Sequence, residues 1–550
     1  MKNSQLRQYM ASKNKQWITL PGYLLVLLFH STLVLGQRPL ERSHSLSLVT
    51  MVPLLELERK LIDNLDNYTN ALEQKLQIIR SQITVMRAEN EKGGRNAIFY
   101  LSNPLNAFSL IRRLHQDWIQ WGKYMEQPVG ISQIKAFDSW KDELPTELDL
   151  WDACAGIERI QSLYDLKILD FINGNINGKQ YNVSMSSADI LSVADHLAIK
   201  SRPSAAVQWL QEVPQRLQEE RLIIPRHLLI DEVEVLRLLA ESHFKEKHYS
   251  KALPLLHNCL KLKPYDARLL RLWKSTQDLI ERQPNPFPKD NKEQKVPMAN
   301  AFKLSCNAPH ESSTRLHCFY NFTTTPFLRL APLKTEQIGL HPYVVLYHKV
   351  LSAREISMLI GKAAQNMKNT RVHRERKAKT SRGRTAKGYW LKKESNELTR
   401  SITRRIVDMT GFDLADSEDF QVINYGIGGH YFLHTDYFDF ASSNYTGKRS
   451  RQSKVLGDRI ATVLFYLSDV EQGGATVFGN VGYSVSPQAG TAIFWYNLDT
   501  DGKGDPLTRH ASCPVIVGSK WVMTEWIRER RQIFIRPCLP PAKGGTSTKS

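Results

Sequence analysis

The spacing of apolar positions changes partway along this chain. Between residues 49 and 83, Leu61, Leu65, Tyr68, Leu72, Leu76, Ile79 and Ile83 recur at intervals of three and four, which is one stripe of an amphipathic helix. The stripe is dense enough to pair with a second copy in a coiled-coil-like arrangement, or to pack on its own domain. Helical, Leu/Ile-rich patterning continues over residues 107–121 and 147–171. Between 231 and 273, Leu236, Leu239, Ala240, Ala252, Leu256 and Pro264 fall at the small and apolar positions of a tetratricopeptide-type (TPR-like) helix pair. An upstream pair, 186–199 and 205–218, would stack beside it. Two such pairs form either a concave surface for an extended peptide or a helical spacer.

Residues 281–297 (ERQPNPFPKDNKEQKVP) carry no apolar period and read as a linker. Beyond them the pattern becomes strand-like at 460–467 (IATVLFYL), 475–478 (ATVF), 490–495 (GTAIFW) and 521–526 (WVMTEW). At 550 residues the chain is too long for one core. The expected organisation is multidomain α+β. A helical region covers 45–170, a dimerisation domain if the stripe pairs with a second copy. A TPR-like helical region covers 180–280, a peptide-binding domain if its surface is the concave one. A linker covers 281–299, a β-rich domain 300–540 and a disordered tail 541–550.

At the N-terminus Lys2, Arg7, Lys13 and Lys15 precede an apolar run over 17–35, and Gly36 follows it. This is the layout of a secretory signal peptide, 1–36. Pro21 and His30 disfavour a stable membrane span, and no later segment is apolar enough for one. The mature chain is therefore expected in the secretory lumen. Sequons beginning at Asn67, Asn182, Asn321 and Asn444 fit that compartment as glycosylation sites. The six cysteines suit a couple of bridges. Cys306 and Cys318 flank a short polar loop, and Cys513 and Cys538 flank the final strand, so pairing is expected within each couple. Cys154 and Cys259 read as small core residues. The terminal GGTSTKS is not a lumenal retention tetrapeptide, so retention would need a partner. The net charge of +19 is spread along the chain, with a concentration at 371–387, and no nucleic-acid motif accompanies it. A solvated loop and tails account for it better than attraction to an extended acidic partner does.

Candidate chemistry gathers in the β-rich part. About 1.6 His-x-Asp/Glu triplets are expected from composition alone; three occur, at His115, His373 and His434. Only His434-Thr-Asp436 follows a Gly-rich turn (NYGIGGHYFLHTD, 424–436) and leads into strand-like segments. On an extended strand the two side chains leave the same face. With His510 they would offer two nitrogens and one carboxylate to one side of a metal, the facial arrangement of non-haem Fe(II) oxygenases. Lys520 adds a cation suited to an acidic co-substrate.

The chain resembles the α subunit of animal collagen prolyl 4-hydroxylases over nearly all of its mature length. The likeness rests on QVINYGIGGHYFLHTD, FYLSDVEQGGATVF, GTAIFWYNL, TRHASCPVIVGSKWV and the trailing RER run, and on NPLNAFSLIRRLHQDW at 103–118. The resemblance implies a double-stranded β-helix (jelly roll) dioxygenase domain that uses Fe(II), 2-oxoglutarate, O₂ and L-ascorbate. His434, Asp436 and His510 match the iron ligands, and Lys520 the partner of the 2-oxoglutarate C5 carboxylate. Tyr425, Thr476 and Trp526 match positions at the co-substrate, and Tyr431 and Arg459 match positions that grip the peptidyl proline. The implied assembly is an α₂β₂ tetramer with protein disulfide isomerase in the endoplasmic reticulum lumen. The implied substrate is a proline-rich, procollagen-like peptide.

Two places depart from the family pattern. The segment ADHLAIKSRPSAAVQW (194–209) lacks the exposed tyrosines with which the family's helical domain recognises proline-rich strands. Arg528 stands where a histidine is usual, and unlike histidine it is always charged. The expected activity is hydroxylation of peptidyl proline. The alternatives are hydroxylation of another peptidyl residue such as lysine, or a catalytically silent peptide-binding subunit.

Overall fold

The computed structural model describes residues 44–94, 96–225, 228–282, 297–307, 316–370, 383–438 and 455–537. The signal sequence, the body of the linker, the Asn444 sequon, Cys538 and the tail lie outside them. The described residues fall within one unit spanning 42–550.

The stripe at 61–83 lies on one 40-residue helix, Val52–Glu91. It rests partly on the helix Ile131–Trp140, where Asn64 donates to the Gln133 carbonyl at 2.9 Å. Leu55, Ile62, Leu65, Leu72, Leu76 and Ile83 nevertheless remain exposed. Helical structure is continuous from Pro104 to Glu126, with a π-helical turn at Arg113–Asp117. The 147–171 pattern breaks into Glu147–Leu163 and Ile168–Ile172. The reversal falls at Asp165, whose φ of 51° is left-handed.

The upstream pair opens with Ser187–Ile199, capped by Ser186 and Asp189. Its second helix is not one element over 205–218 but two, Pro203–Leu210 and Val213–Glu220. Pro214 in the first turn of the latter has no N–H to continue the preceding helix and restricts the residue before it. Glu232–Lys245, Tyr249–Leu262 and Ala267–Arg282 follow as antiparallel neighbours around Val233, Ala240, Leu256, Cys259 and Leu269. Arg282 still ends a helix and Pro297 already begins another, Pro297–Asn307, so the linker is shorter at both ends than 281–299. Among the described residues no helix is long and apolar enough to cross a membrane.

From Cys318 onward the chain is largely antiparallel sheet. A nine-stranded sheet runs in the order Cys318–Asn321, Leu333–Leu340, Tyr343–His348, Ala492–Tyr496, Arg459–Tyr466, Trp521–Arg528, Phe420–Tyr425, Ala386–Leu391 and Lys368–Asn369. A four-stranded sheet runs Tyr483–Val485, Thr476–Phe478, His510–Ser512 and Tyr431–His434. Alternation along each strand sorts side chains between two faces. Val463, Phe465, Phe494, Val422 and Met523 turn to the helices Ala353–Ala364 and Glu397–Thr410. Tyr466, Ile493, Trp495, Ile423 and Val522 turn the other way, packing with Phe478 and Val485 of the smaller sheet. The metal-ligand candidates sit on this second side.

The cysteines pair differently from the sequence expectation. Cys306 is bonded to Cys513, 207 residues away, with Cα atoms 5.7 Å apart. Cys318 is exposed and free, while Cys154 and Cys259 are buried. Neighbourhood in sequence misled because the helix Pro297–Asn307 lies against the smaller sheet. Phe302 packs there with Leu163, Val477, Ala511 and Cys513, which sets Cys306 beside Cys513. Cys318 instead begins an edge strand of the larger sheet. Of the described sequons, Asn67 and Asn182 are exposed, whereas Asn321 is half-buried and donates to Thr324.

Candidate active site

The two histidines come from neighbouring strands. His434 ends its strand and is the direct cross-strand partner of His510, with ring centroids 4.3 Å apart. Asp436 is not on the strand, as the same-face argument supposed, but in the bend just after it. It still converges: His434 Nε2 is 3.6 Å from Asp436 Oδ1, and His510 Nε2 is 3.8 Å from Oδ2. Each ring directs its other nitrogen to a backbone carbonyl, His434 Nδ1 to Phe432 at 2.7 Å and His510 Nδ1 to Thr508 at 3.0 Å. Those bonds fix the tautomers, so that both Nε2 atoms offer lone pairs to the same point. Burial, with His510 beside it, lowers the His434 pKa to about 3 and keeps that ring neutral, as a ligand must be. Burial opposes the Asp436 charge, but His510, His434 and Arg459 outweigh it and hold the carboxyl below its ordinary value. Two imidazole nitrogens and one carboxylate suit a divalent first-row metal with positions left open.

A second layer, which sequence reasoning missed, orients Asp436. Thr462 Oγ1 donates to Asp436 Oδ2 at 2.8 Å, Asn497 Nδ2 donates to Thr462 Oγ1 at 2.9 Å, and Trp495 Nε1 donates to Asn497 Oδ1 at 2.8 Å. All four residues are buried. The available signal was parity: Thr462, Leu464 and Tyr466 share a strand face, so a polar residue among them points inward.

Lys520 is 1% exposed. Its ammonium donates to Ser512 Oγ at 2.7 Å and to the Gly474 carbonyl at 2.5 Å, with the Tyr425 ring centroid 5.2 Å away. Among the described residues no carboxylate pairs with it, and burial pulls its pKa down to about 7. A buried cation with only neutral partners is costly unless an anion completes the site. Tyr466, fully buried, donates to Thr476 Oγ1 at 2.8 Å on the same side.

The remaining candidates form a cationic, aromatic rim. The Tyr431 ring stacks on His434 at 3.6 Å between centroids, with the Arg384 guanidinium 4.7 Å from the Tyr431 ring centroid. Arg459 lies 4.0 Å from the Trp526 ring centroid and meets Glu418 through two bonds, of 2.6 and 2.7 Å. Its third nitrogen donates to the Asp436 carbonyl at 3.3 Å. Arg528 binds the same Glu418 at 2.8 Å. The departure from histidine therefore places two cations on one part-buried carboxylate, and Glu418 is a second residue that the sequence did not flag.

The Gly-rich turn before His434 is seated on the helical half. Gly428 has a φ of 54°, and a Cβ there would lie 2.5 Å from the Gly156 carbonyl oxygen. Arg159 donates to the Gly428 carbonyl at 2.7 Å, and Ser47 donates to Asn424 at 2.6 Å. Asp149 accepts from the His44 and Ser45 backbone N–H groups at 2.9 and 3.0 Å, anchoring that N-terminal segment.

Comparison with known proteins agrees with this division. Residues 47–178 match the family described as "Prolyl 4-Hydroxylase alpha-subunit, N-terminal region", and residues 420–528 match the 2OG-Fe(II) oxygenase superfamily. Prolyl 4-hydroxylase subunit alpha-1 of Caenorhabditis elegans is 32% identical over 512 residues, covering 90% of each chain. The Homo sapiens subunit alpha-1 is 29% identical over 515 residues, covering 90% of this chain and 95% of the human one. Among solved structures, a viral collagen prolyl hydroxylase from Paramecium Bursaria Chlorella virus-1, in its 2OG complex, is 25% identical. It covers 34% of this chain and 95% of the viral chain, with a TM-score of 0.26.

Proposed function

The chain belongs to the prolyl 4-hydroxylase α-subunit family, and on that premise we propose that it hydroxylates peptidyl proline to 4-hydroxyproline in collagen-like or other proline-rich secretory proteins. The reaction is coupled to oxidative decarboxylation of 2-oxoglutarate to succinate and CO₂. One observation carries the reading: His434, Asp436 and His510 converge beside a buried Lys520 that has no carboxylate partner among the described residues.

His434, Asp436 and His510 would hold Fe(II), and the iron when bound would supply the O₂ chemistry that oxidises an unactivated C–H bond. Every other contribution comes from the chain. Lys520 binds the distal carboxylate of 2-oxoglutarate, a charge-assisted contact that ends the isolation of its ammonium. Tyr425 and Thr476 border the same recess. Trp526 packs against Arg459, and Tyr431 and Arg459 hold the peptidyl proline over the metal. Thr462 and Asn497 keep Asp436 in orientation. L-Ascorbate would be the reductant that accompanies the iron.

The two facing sheets support a double-stranded β-helix for 300–540, and the successive antiparallel helices support a TPR-like peptide-binding domain over 180–280. The apolar residues left exposed on Val52–Glu91 support pairing of two α subunits through 45–170. Assembly with protein disulfide isomerase as α₂β₂ in the endoplasmic reticulum lumen, glycosylation at Asn67 and Asn182, and removal of 1–36 complete the proposal.

The test is 2-oxoglutarate decarboxylation by the chain co-produced with protein disulfide isomerase, using (Pro-Pro-Gly)-type peptides and mass spectrometry of the product. Formation of 4-hydroxyproline that disappears in His434→Ala is the expected result. Iron and 2-oxoglutarate binding without hydroxylation would redirect the search to other proline-containing substrates. Absence of iron binding would favour a silent peptide-binding subunit.

A further inference from the structure

A second cluster has the same donor set as the metal site described above. Among the described residues two groups of His and carboxylate atoms lie close enough to share an ion: His434, Asp436 and His510, and, in the helical half, His243, Glu246 and His248. His243 is in the last turn of Glu232–Lys245, and His248 immediately precedes Tyr249–Leu262. Lys247, between Glu246 and His248, has a φ of 64°. The His248 N–H then donates to the His243 carbonyl at 2.9 Å, so the chain doubles back and both rings approach one carboxylate.

The spacing matches that of the first cluster. His243 Nδ1 and His248 Nδ1 lie 3.7 and 3.4 Å from Glu246 Oε2, against 3.6 and 3.8 Å for the imidazole–carboxylate distances around Asp436. Donors about 2.0–2.2 Å from a tetrahedral ion stand about 3.4 Å from one another. Both Nδ1 atoms are buried without a hydrogen-bond partner, and His243 is only 8% exposed. A buried imidazole nitrogen normally finds a partner. Here two of them flank the same oxygen, at distances too long for good hydrogen bonds and suited to an ion between them. Ser204 donates to the other oxygen, Oε1, which orients the carboxylate and leaves Oε2 to the cluster.

We propose that His243, Glu246 and His248 bind a divalent first-row transition ion of the Zn²⁺ type, distinct from the catalytic iron. Its fourth position goes to water, since three protein donors leave one open. The ion's place in the fold defines its role. Ser204 lies in the first turn of the helix Pro203–Leu210, and Lys245 Nζ donates to the Ala198 carbonyl at 3.0 Å. The ion therefore fastens the turn between two helices of the peptide-binding region to the neighbouring helical pair. It acts on the geometry of that surface and takes no part in the oxidation.

The experiment uses the full-length chain carrying Asp436→Ala to disable the first cluster. The protein is stripped with chelator, reloaded with Zn²⁺ alone and passed through gel filtration. Retention of one zinc per chain by elemental analysis is the expected result. Adding His248→Ala or Glu246→Gln should weaken zinc binding at least tenfold, with helical circular dichroism unchanged. Should His248→Ala disturb the helices, the isosteric Glu246→Gln decides. Failure of Asp436→Ala to retain zinc, or retention indifferent to both added substitutions, would overturn the assignment. Neither result depends on whether the chain hydroxylates proline.

Discussion

Thr462 donates a 2.8 Å hydrogen bond to the Oδ2 of Asp436, and both side chains are buried. The bond comes from the middle of the larger sheet and fixes a carboxylate that lies beyond the end of its own strand. Thr462→Val keeps the shape and removes the donor. Metal affinity should fall about 10- to 100-fold, as for other ligand-orienting partners. Fe(II)-dependent activity titrations measure it, and excess iron should rescue turnover. Unchanged affinity would mean that Asp436 holds its orientation unaided.

Lys520→Ala should raise the KM for 2-oxoglutarate about 10- to 100-fold, the value of a charge-assisted hydrogen bond, and change kcat less. The wild-type chain should also show a pH signature. Burial lowers the Lys520 pKa to about 7, so the free protein has shed this proton above pH 7, while the complex retains it. Binding between pH 7 and 9 must then take up a proton and weaken as pH rises. Calorimetry in buffers of different ionisation enthalpy reads that uptake directly.

Glu418 holds Arg459 and Arg528 together. Glu418→Gln leaves the buried Arg528 and the part-buried Arg459 without their counter-charge, and breaking such a pair costs up to about 3–5 kcal/mol, the figure for a fully buried one. Chemical denaturation should show a loss of that order. The KM for peptide should rise as Arg459 leaves its place against Trp526. Arg528→His, which restores the usual family residue, should be much milder, because Arg459 keeps its own two bonds to Glu418.

Peptide mapping without reduction should recover Cys306 cross-linked to Cys513. A Cys306–Cys318 peptide would contradict the structure. Because the bridge closes a loop of 207 residues, Cys306→Ser should cost about 2–5 kcal/mol of stability, visible as a lower Tm under non-reducing conditions.

Asp149 predicts an acid-labile anchor. Burial would raise its pKa, but the N–H groups of Ser45, His44 and Thr146 prevail and bring it from 3.8 down to about 2. The stabilisation is therefore complete above pH 4 and is lost as pH falls toward 2. It amounts to about 2 kcal/mol. Asp149→Asn should show a correspondingly flatter stability profile across that interval, measured by denaturant unfolding.

The sequence by itself determined the donor atoms on offer and the periods. His434, Asp436 and His510 could be named because a metal needs specific donor atoms and a Gly-rich turn singled out one triplet. The helical and strand-like halves were legible because spacings of three to four and of two follow from local backbone geometry. Tertiary structure decided what those atoms meet. Asp436 leaves its strand and is held by Thr462 of a distant one. Glu418 collects two arginines separated by 69 positions, since Arg459 and Arg528 start and end paired strands. Cys306 finds Cys513 rather than Cys318, and Gly428 is a glycine because Gly156 presses on it. His243 and His248 converge through a left-handed Lys247 that no apolar period reveals. Periodicity tells which face a side chain takes, but its neighbour on that face depends on how strands far apart in the chain are ordered in the sheet, which is fixed only when the whole core packs.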